Sequence, residues 1–128
     1  MTARIAGQSQ HVPSPAGPYS SCVRIGSMIA ASGQAGFGPD GALLAGVGAQ
    51  VGQTLRNLQH ALESHGASLS DALHVRVYLT DPGHFDEMNQ EYAQHFAEPY
   101  PARTTVFVQL PGEILAEIDV LAVVEQER

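Results

Sequence analysis

The chain has 128 residues, enough for one domain with a sizeable core and too few for two. Its 6 basic and 13 acidic residues give a formal charge of −7, which excludes a clustered basic surface of the kind that nucleic acid or an anionic membrane requires. With 44% apolar and 15% charged residues it is not a disordered chain, and one cysteine, Cys22, excludes a disulfide-stapled scaffold and fits a reducing compartment. The first residues carry no apolar core of signal-peptide length, and nowhere do ~20 apolar residues follow one another, so the expected location is the cytoplasm.

Residues 1–19 hold Pro13, Pro15 and Pro18, which forbid a helix, and are expected to form an extended arm ending in the turn Gly17-Pro18-Tyr19. Two apolar runs follow, Ser21 to Ile25 and Met28 to Ser32, with Gly26-Ser27 as a hairpin turn. Gly33 to Gly48 is rich in glycine and reads as a loop. From Val47 the period changes: Val47, Val51, Leu55, Leu58 and Leu62 share one helical face, and Gly66 is a plausible stop. Leu73, Val75, Val77 and Leu79 alternate with His74, Arg76 and Tyr78, as in a half-buried strand. Asp81-Pro82 opens a second helix with Phe85, Met88, Tyr92 and Phe96 on one stripe, and Pro99 and Pro101 end it. Two last strands are predicted, Arg103 to Leu110 and about Leu115 to Val124, joined as a hairpin through Pro111-Gly112.

The predicted order is β-β-α-β-α-β-β. It implies a single α+β domain over residues 1–128, with one mixed sheet and two helices packed on one of its faces. The other face must then meet solvent or a second subunit. The segment Ile118 to Val124 is apolar on both faces, which points to the second.

Several chemistries find no support. His60 and His65 are five apart and do not share a helical face; His84 and His95 lack a third ligand in reach; no metal site is expected. Gly36-Phe37-Gly38 and Gly46-Val47-Gly48 do not sit in a strand-turn-helix phosphate motif. Ser32 in Ala31-Ser32-Gly33-Gln34 lacks the glycine-flanked elbow of a serine hydrolase.

An arginine and a glutamate remain. Arg103 opens a strand just after two prolines, a rim position where a planar guanidinium can grip a carboxylate through two hydrogen bonds. Glu117 begins Glu117-Ile118-Asp119-Val120, and a carboxylate within an apolar strand is costly unless paired or used. From these residues alone, a structural ion pair between the two or exposure to water stands beside a functional reading.

In order along the chain come Gly17-Pro18-Tyr19-Ser20, Ala31-Ser32-Gly33-Gln34, Gln53-Thr54-Leu55-Arg56-Asn57-Leu58, Val75-Arg76-Val77-Tyr78-Leu79-Thr80-Asp81, Phe85-Asp86-Glu87-Met88-Asn89, Pro101-Ala102-Arg103-Thr104 and Glu117-Ile118-Asp119. With these seven blocks the chain resembles the RidA/YjgF/YER-type reactive intermediate deaminases over nearly its whole length. The resemblance implies a chorismate-mutase-like fold, a homotrimer with sites between subunits, and hydrolysis of 2-imino acids, the tautomers of enamines, to 2-keto acids and ammonia. It implies no metal or organic cofactor; that no nucleic-acid or membrane partner is expected follows from the acidic balance. Carried over by motif, Arg103 would bind the substrate carboxylate, with the backbone amides of Gly33 and Thr105 assisting. Tyr19, Ser32 and Asn89 would line the pocket, and Glu117 would position the attacking water.

Two departures from the family's pattern stand out. Position 105 is threonine, where many members have cysteine. Arg103 and Glu117 are 14 residues apart, one fewer than the commonest spacing, a difference that the Leu110-Pro111-Gly112 turn is expected to absorb. Two other readings stay open: a non-enzymatic trimer that binds a small carboxylate and regulates a partner, and a specialised deaminase for a larger pathway intermediate, with Phe37 and Phe107 shaping its pocket. The family's link to RNA cleavage sits badly with the acidic balance.

Overall fold

The computed structural model describes residues 3–125; residues 1–2 of the predicted arm and the last three residues lie outside it. Its first element is Ile5–Ala6 (β1), within the segment read as a plain arm, which pairs antiparallel with Cys22–Ile25 (β2). Gly26, at φ 58°, makes the predicted tight turn into Met28–Gln34 (β3). Then come Val47–Glu63 (α1), a 3₁₀ turn at Leu69–Asp71, Ala72–Leu79 (β4), a second 3₁₀ turn at Pro82–His84, Phe85–Ala93 (α2), Ala102–Phe107 (β5) and Ala116–Val123 (β6). The fold is α+β: one mixed six-stranded sheet, in the order β1-β2-β3-β6-β4-β5, with the two helices. Among the described residues no helix is long and apolar enough to cross a membrane.

The predicted hairpin between the last two strands does not form. β6 runs antiparallel between β3 and β4, whereas β5 pairs parallel with β4 at the sheet edge. The reason is the helix between β4 and β5: a strand returning through a helix lies parallel to the first. β6 then fills the slot between β3 and β4, which leaves β4 bonded on both sides. The second helix is also shorter than its apolar stripe. It ends at Ala93, and Phe96 continues the packing from outside by stacking on Tyr92 at 4.5 Å between ring centroids.

Alternation fills the core from one face. Val75, Val77 and Leu79 of β4, with Ala116, Ile118, Val120 and Ala122 of β6, lie buried against Val51, Leu55, Leu58 and Leu62 of α1. Truncating any one of these leucines to Ala would cost about 2–5 kcal/mol.

α1 also buries a polar stripe, which fixes the loops at the sheet's end. The Gln50 amide donates to Leu44 O at 2.9 Å, and its Oε1 accepts from Leu115 N–H at 2.8 Å. The Asn57 amide donates to Phe37 O at 3.0 Å. Phe37 is thereby held in this loop, bridged to Leu43. The N-cap residue Gly46 has no side chain to cap the helix, and the Gly48 N–H instead donates to Glu87 of α2 at 3.0 Å. An acid there meets an orphan donor and the positive end of the helix dipole.

The loop can lie against α1 only because residue 36 is glycine: a Cβ there would stand 2.6 Å from the Gln50 Cα. Gly36→Ala should therefore lower stability by about 1–3 kcal/mol through overpacking. Denaturant unfolding reads this as a lower midpoint, and an unchanged midpoint would contradict the close approach.

Candidate active site, divided between the two faces of the sheet

Arg103 lies on the edge strand. Its register partner on β4 is Val75, so its side chain takes the helix-covered face. There it meets the apolar stripe of α2. The guanidinium carbon is 4.8 Å from the Tyr92 ring centroid and 5.8 Å from that of Phe85, and Nη1 donates to Met88 Sδ at 3.8 Å. Cation–π contacts of this kind are worth roughly 0.5–2 kcal/mol and leave the N–H edge free. No carboxylate among the described residues comes within ion-pair distance of Arg103. A groove of about 310 Å³ opens beside it, lined by Asn89, Tyr92, Tyr100 and Pro101. Thr105 follows two residues on, level with Val77 and so on the same face.

Glu117 lies on the opposite face. It is level with Tyr78 of β4, three residues from Val75, and an odd separation along a strand reverses the side. Its groove, of about 730 Å³, is also lined by Tyr19, Ser32, Gly33, Arg76 and Asp119. Two features of β3 let the carboxylate sit there. Between Ala31 and Gln34 the pairing with β6 shifts, as at a bulge, and a Cβ on Gly33 would stand 2.7 Å from Glu117 Oε2. The Ser32 hydroxyl donates to Ser20 O at 2.6 Å and so ties the arm to the strand. The Tyr19 hydroxyl accepts the Ala16 N–H at 3.2 Å and stands at the rim.

The six residues singled out by sequence for substrate contact, with Glu117, thus fall into two groups within one chain. Tyr19, Ser32, Gly33 and Glu117 share the open face; Asn89, Arg103 and Thr105 share the helix face. The ion pair between Arg103 and Glu117 that the sequence left open is absent from the structure, because the sheet stands between them. Burial, and then the charge of Asp119, push the Glu117 carboxyl above its ordinary value. The Cys22 thiol is buried and pushed up to about 11, so it is no nucleophile.

The sequence of residues 9–124 matches the family described as Endoribonuclease L-PSP, which is the RidA/YjgF family. The chain belongs to this family. It is 38% identical over 117 residues to a RutC family protein of Pyrococcus horikoshii, covering 89% of this chain and 93% of that one. It is 34% identical over 120 residues to the 2-iminobutanoate/2-iminopropanoate deaminase of Salmonella typhimurium, covering 90% and 94%. Its fold superposes on that of E. coli TdcF with bound serine at a TM-score of 0.89 and 33% identity, over 94% of this chain and 99% of that one.

In this RidA/YjgF chain the sequence reading missed two sets of neighbours. Beside Glu117, Asp119 accepts from Arg76 Nε at 2.8 Å and from the Tyr78 hydroxyl at 3.0 Å. The alternation of His74, Arg76 and Tyr78 had marked that polar face, but not which carboxylate it served. Beside Arg103, the stripe Phe85, Met88, Tyr92 was legible only as one face of the second helix. Its spacing was right; what it covers is partly the arginine.

A raised carboxyl pKa carries a sign for stability. The folded chain holds the Glu117 proton more tightly than the unfolded chain. Stability is thus lost as pH rises from the ordinary glutamate range, about 4.3, through the raised folded value. Glu117→Gln removes that loss. The melting temperature of the variant minus that of the parent should increase between about pH 4 and pH 7, and a difference independent of pH would contradict the buried position.

Proposed function

We propose that this protein hydrolyses 2-imino acids to 2-keto acids and ammonia, in sites built between the subunits of a homotrimer. The observation that carries this reading is the division of its candidate residues between the two faces of one sheet: among the described residues Arg103 has no acid and Glu117 no cation within ion-pair distance, and each opens on a groove. A second copy can supply to each half what its own chain holds on the other side. The open face favours such a copy, since Ile25, Met28 and Val123 expose apolar surface there, Met28 to 52%. The deaminase name carried by relatives, and the amino acid bound to a structural neighbour, point to a small carboxylate ligand. A net charge of −7 is poorly suited to an RNA substrate.

The chemistry asks little of the protein. The 2-imino carbon is electrophilic, more so when its nitrogen carries a proton. Arg103 grips the carboxylate through its planar fork. Backbone N–H groups at Gly33 and Thr105 assist, and Tyr19, Ser32 and Asn89 wall the pocket. Glu117 accepts a proton as water adds to the C=N bond. The same carboxyl returns that proton to nitrogen, and as the C–N bond breaks and ammonia leaves, the new hydroxyl gives its proton to the carboxylate and becomes the C=O of the 2-keto acid. A raised pKa suits this exchange, because a group that gives and takes a proton works best near ambient pH. Positioning supplies the rest.

Imino acids made in situ by an amino-acid oxidase provide the assay, with keto-acid release followed in the presence and absence of the protein. Glu117→Gln should lower kcat by about 10²–10⁴-fold with little change in KM. Arg103→Ala should abolish turnover while the fold persists, and Lys should rescue poorly for lack of the planar fork. Parent-like turnover in the folded Glu117→Gln protein would overturn the mechanism. Binding of keto acid with no turnover in the parent would favour a carboxylate-binding regulator.

A further inference from the structure

We infer that Phe85 and Phe107 form a side-chain subsite that selects 2-imino acids with a bulky apolar side chain, an inference that rests on the deaminase reading above. Arg103, Thr105 and Phe107 are level with Val75, Val77 and Leu79, so all three project from the same face of the edge strand. Phe107 is 46% exposed and Phe85 is 38% exposed. Together with Pro82, Gly83 and Asp86 they line a groove of about 450 Å³. The Phe85 ring joins this groove to the anchor, since its centroid is 5.8 Å from the Arg103 guanidinium carbon. A carboxylate held at Arg103 therefore has its carbon substituent beside an aromatic wall. Two half-exposed phenylalanines in one groove keep apolar surface in water until something apolar covers it. Asp86 at the rim repels a second carboxylate, so acidic side chains are disfavoured.

The size of the effect follows from what apolar pockets discriminate. One methylene is worth about 10–200-fold in a fitted pocket, and an open groove gives the lower end. The affinity series uses the stable products as probes: pyruvate, 4-methyl-2-oxopentanoate and phenylpyruvate, titrated calorimetrically into the assembled protein. The two larger acids should bind at least about 10-fold tighter than pyruvate. Phe107→Ala should bring that ratio close to one, and Phe107→Leu should restore part of it. Equal affinity of the parent for small and large acids would overturn the subsite. So would a Phe107→Ala protein that keeps the ratio but sediments as a smaller species, because the ring would then be a subunit contact. Turnover on the matching imino acids separates the two readings. Size preference without turnover sinks the deaminase reading alone, turnover without size preference sinks the subsite alone, and failure of all three acids to bind overturns both.

Discussion

Side chains that stand level on neighbouring strands share a face, and side chains an odd number of places apart along one strand do not. β4 applies this rule to both candidate residues at once, because it pairs with β5 on one side and β6 on the other. Arg103 is level with Val75, and Glu117 with Tyr78. No side-chain rotation brings them together through a sheet whose core face is sealed by α1. A shift of one residue in β6 would have put both on one side. It would also have turned Ile118 and Val120 out of the core, which is why the register is held so firmly.

The two half-sites are prepared differently. Arg103 is held by aromatic faces and by one hydrogen bond to a thioether, so its position is fixed while its charge has no acid to satisfy it among the described residues. An acidic partner would have fixed it equally well and cancelled its attraction for a carboxylate. Glu117 is treated in the opposite way. It is given an acid two residues along, Asp119, and a desolvated seat against a glycine, so that its charge is disfavoured. Asp119 itself pairs with Arg76 and accepts the Tyr78 hydroxyl, which limits the cost of two acids on one strand face. In the hydrolysis proposed above, one half would attract the anion and the other would exchange the proton.

Local signals carried most of the fold. The four-residue steps from Val47 to Leu62 located α1, the alternation of Leu73 to Leu79 located β4, and Gly26 with Ser27 located the first turn. What local pattern cannot carry is the pairing of strands distant in sequence. β5 and β6 are consecutive and joined by Pro111-Gly112, which reads as a hairpin, yet the pairing is decided by the α2 crossover and by the free edge of β3. The candidate residues were legible as types and motifs, and the structure sets Tyr19, Ser32, Gly33 and Glu117 along one groove and Asn89 and Arg103 along another, with Thr105 on the face of Arg103. Their division into two groups was not legible, because parity across three strands depends on the pairing. The two-residue β1 and the role of Tyr92 beside Arg103 escaped for a similar reason: each takes its meaning from a partner far away in the chain.

If each site joins the Arg103 face of one subunit to the Glu117 face of the next, two inactive proteins can repair each other. Arg103→Ala and Glu117→Gln chains, unfolded together in equal amounts and refolded, would form mixed trimers. Random mixing places an intact arginine opposite an intact glutamate at about one interface in four. The account predicts recovery of about a quarter of the parent turnover from a mixture whose separate components are inactive. A mixture that stays as inactive as its components, while sedimentation shows that trimers have formed and exchanged, would contradict it.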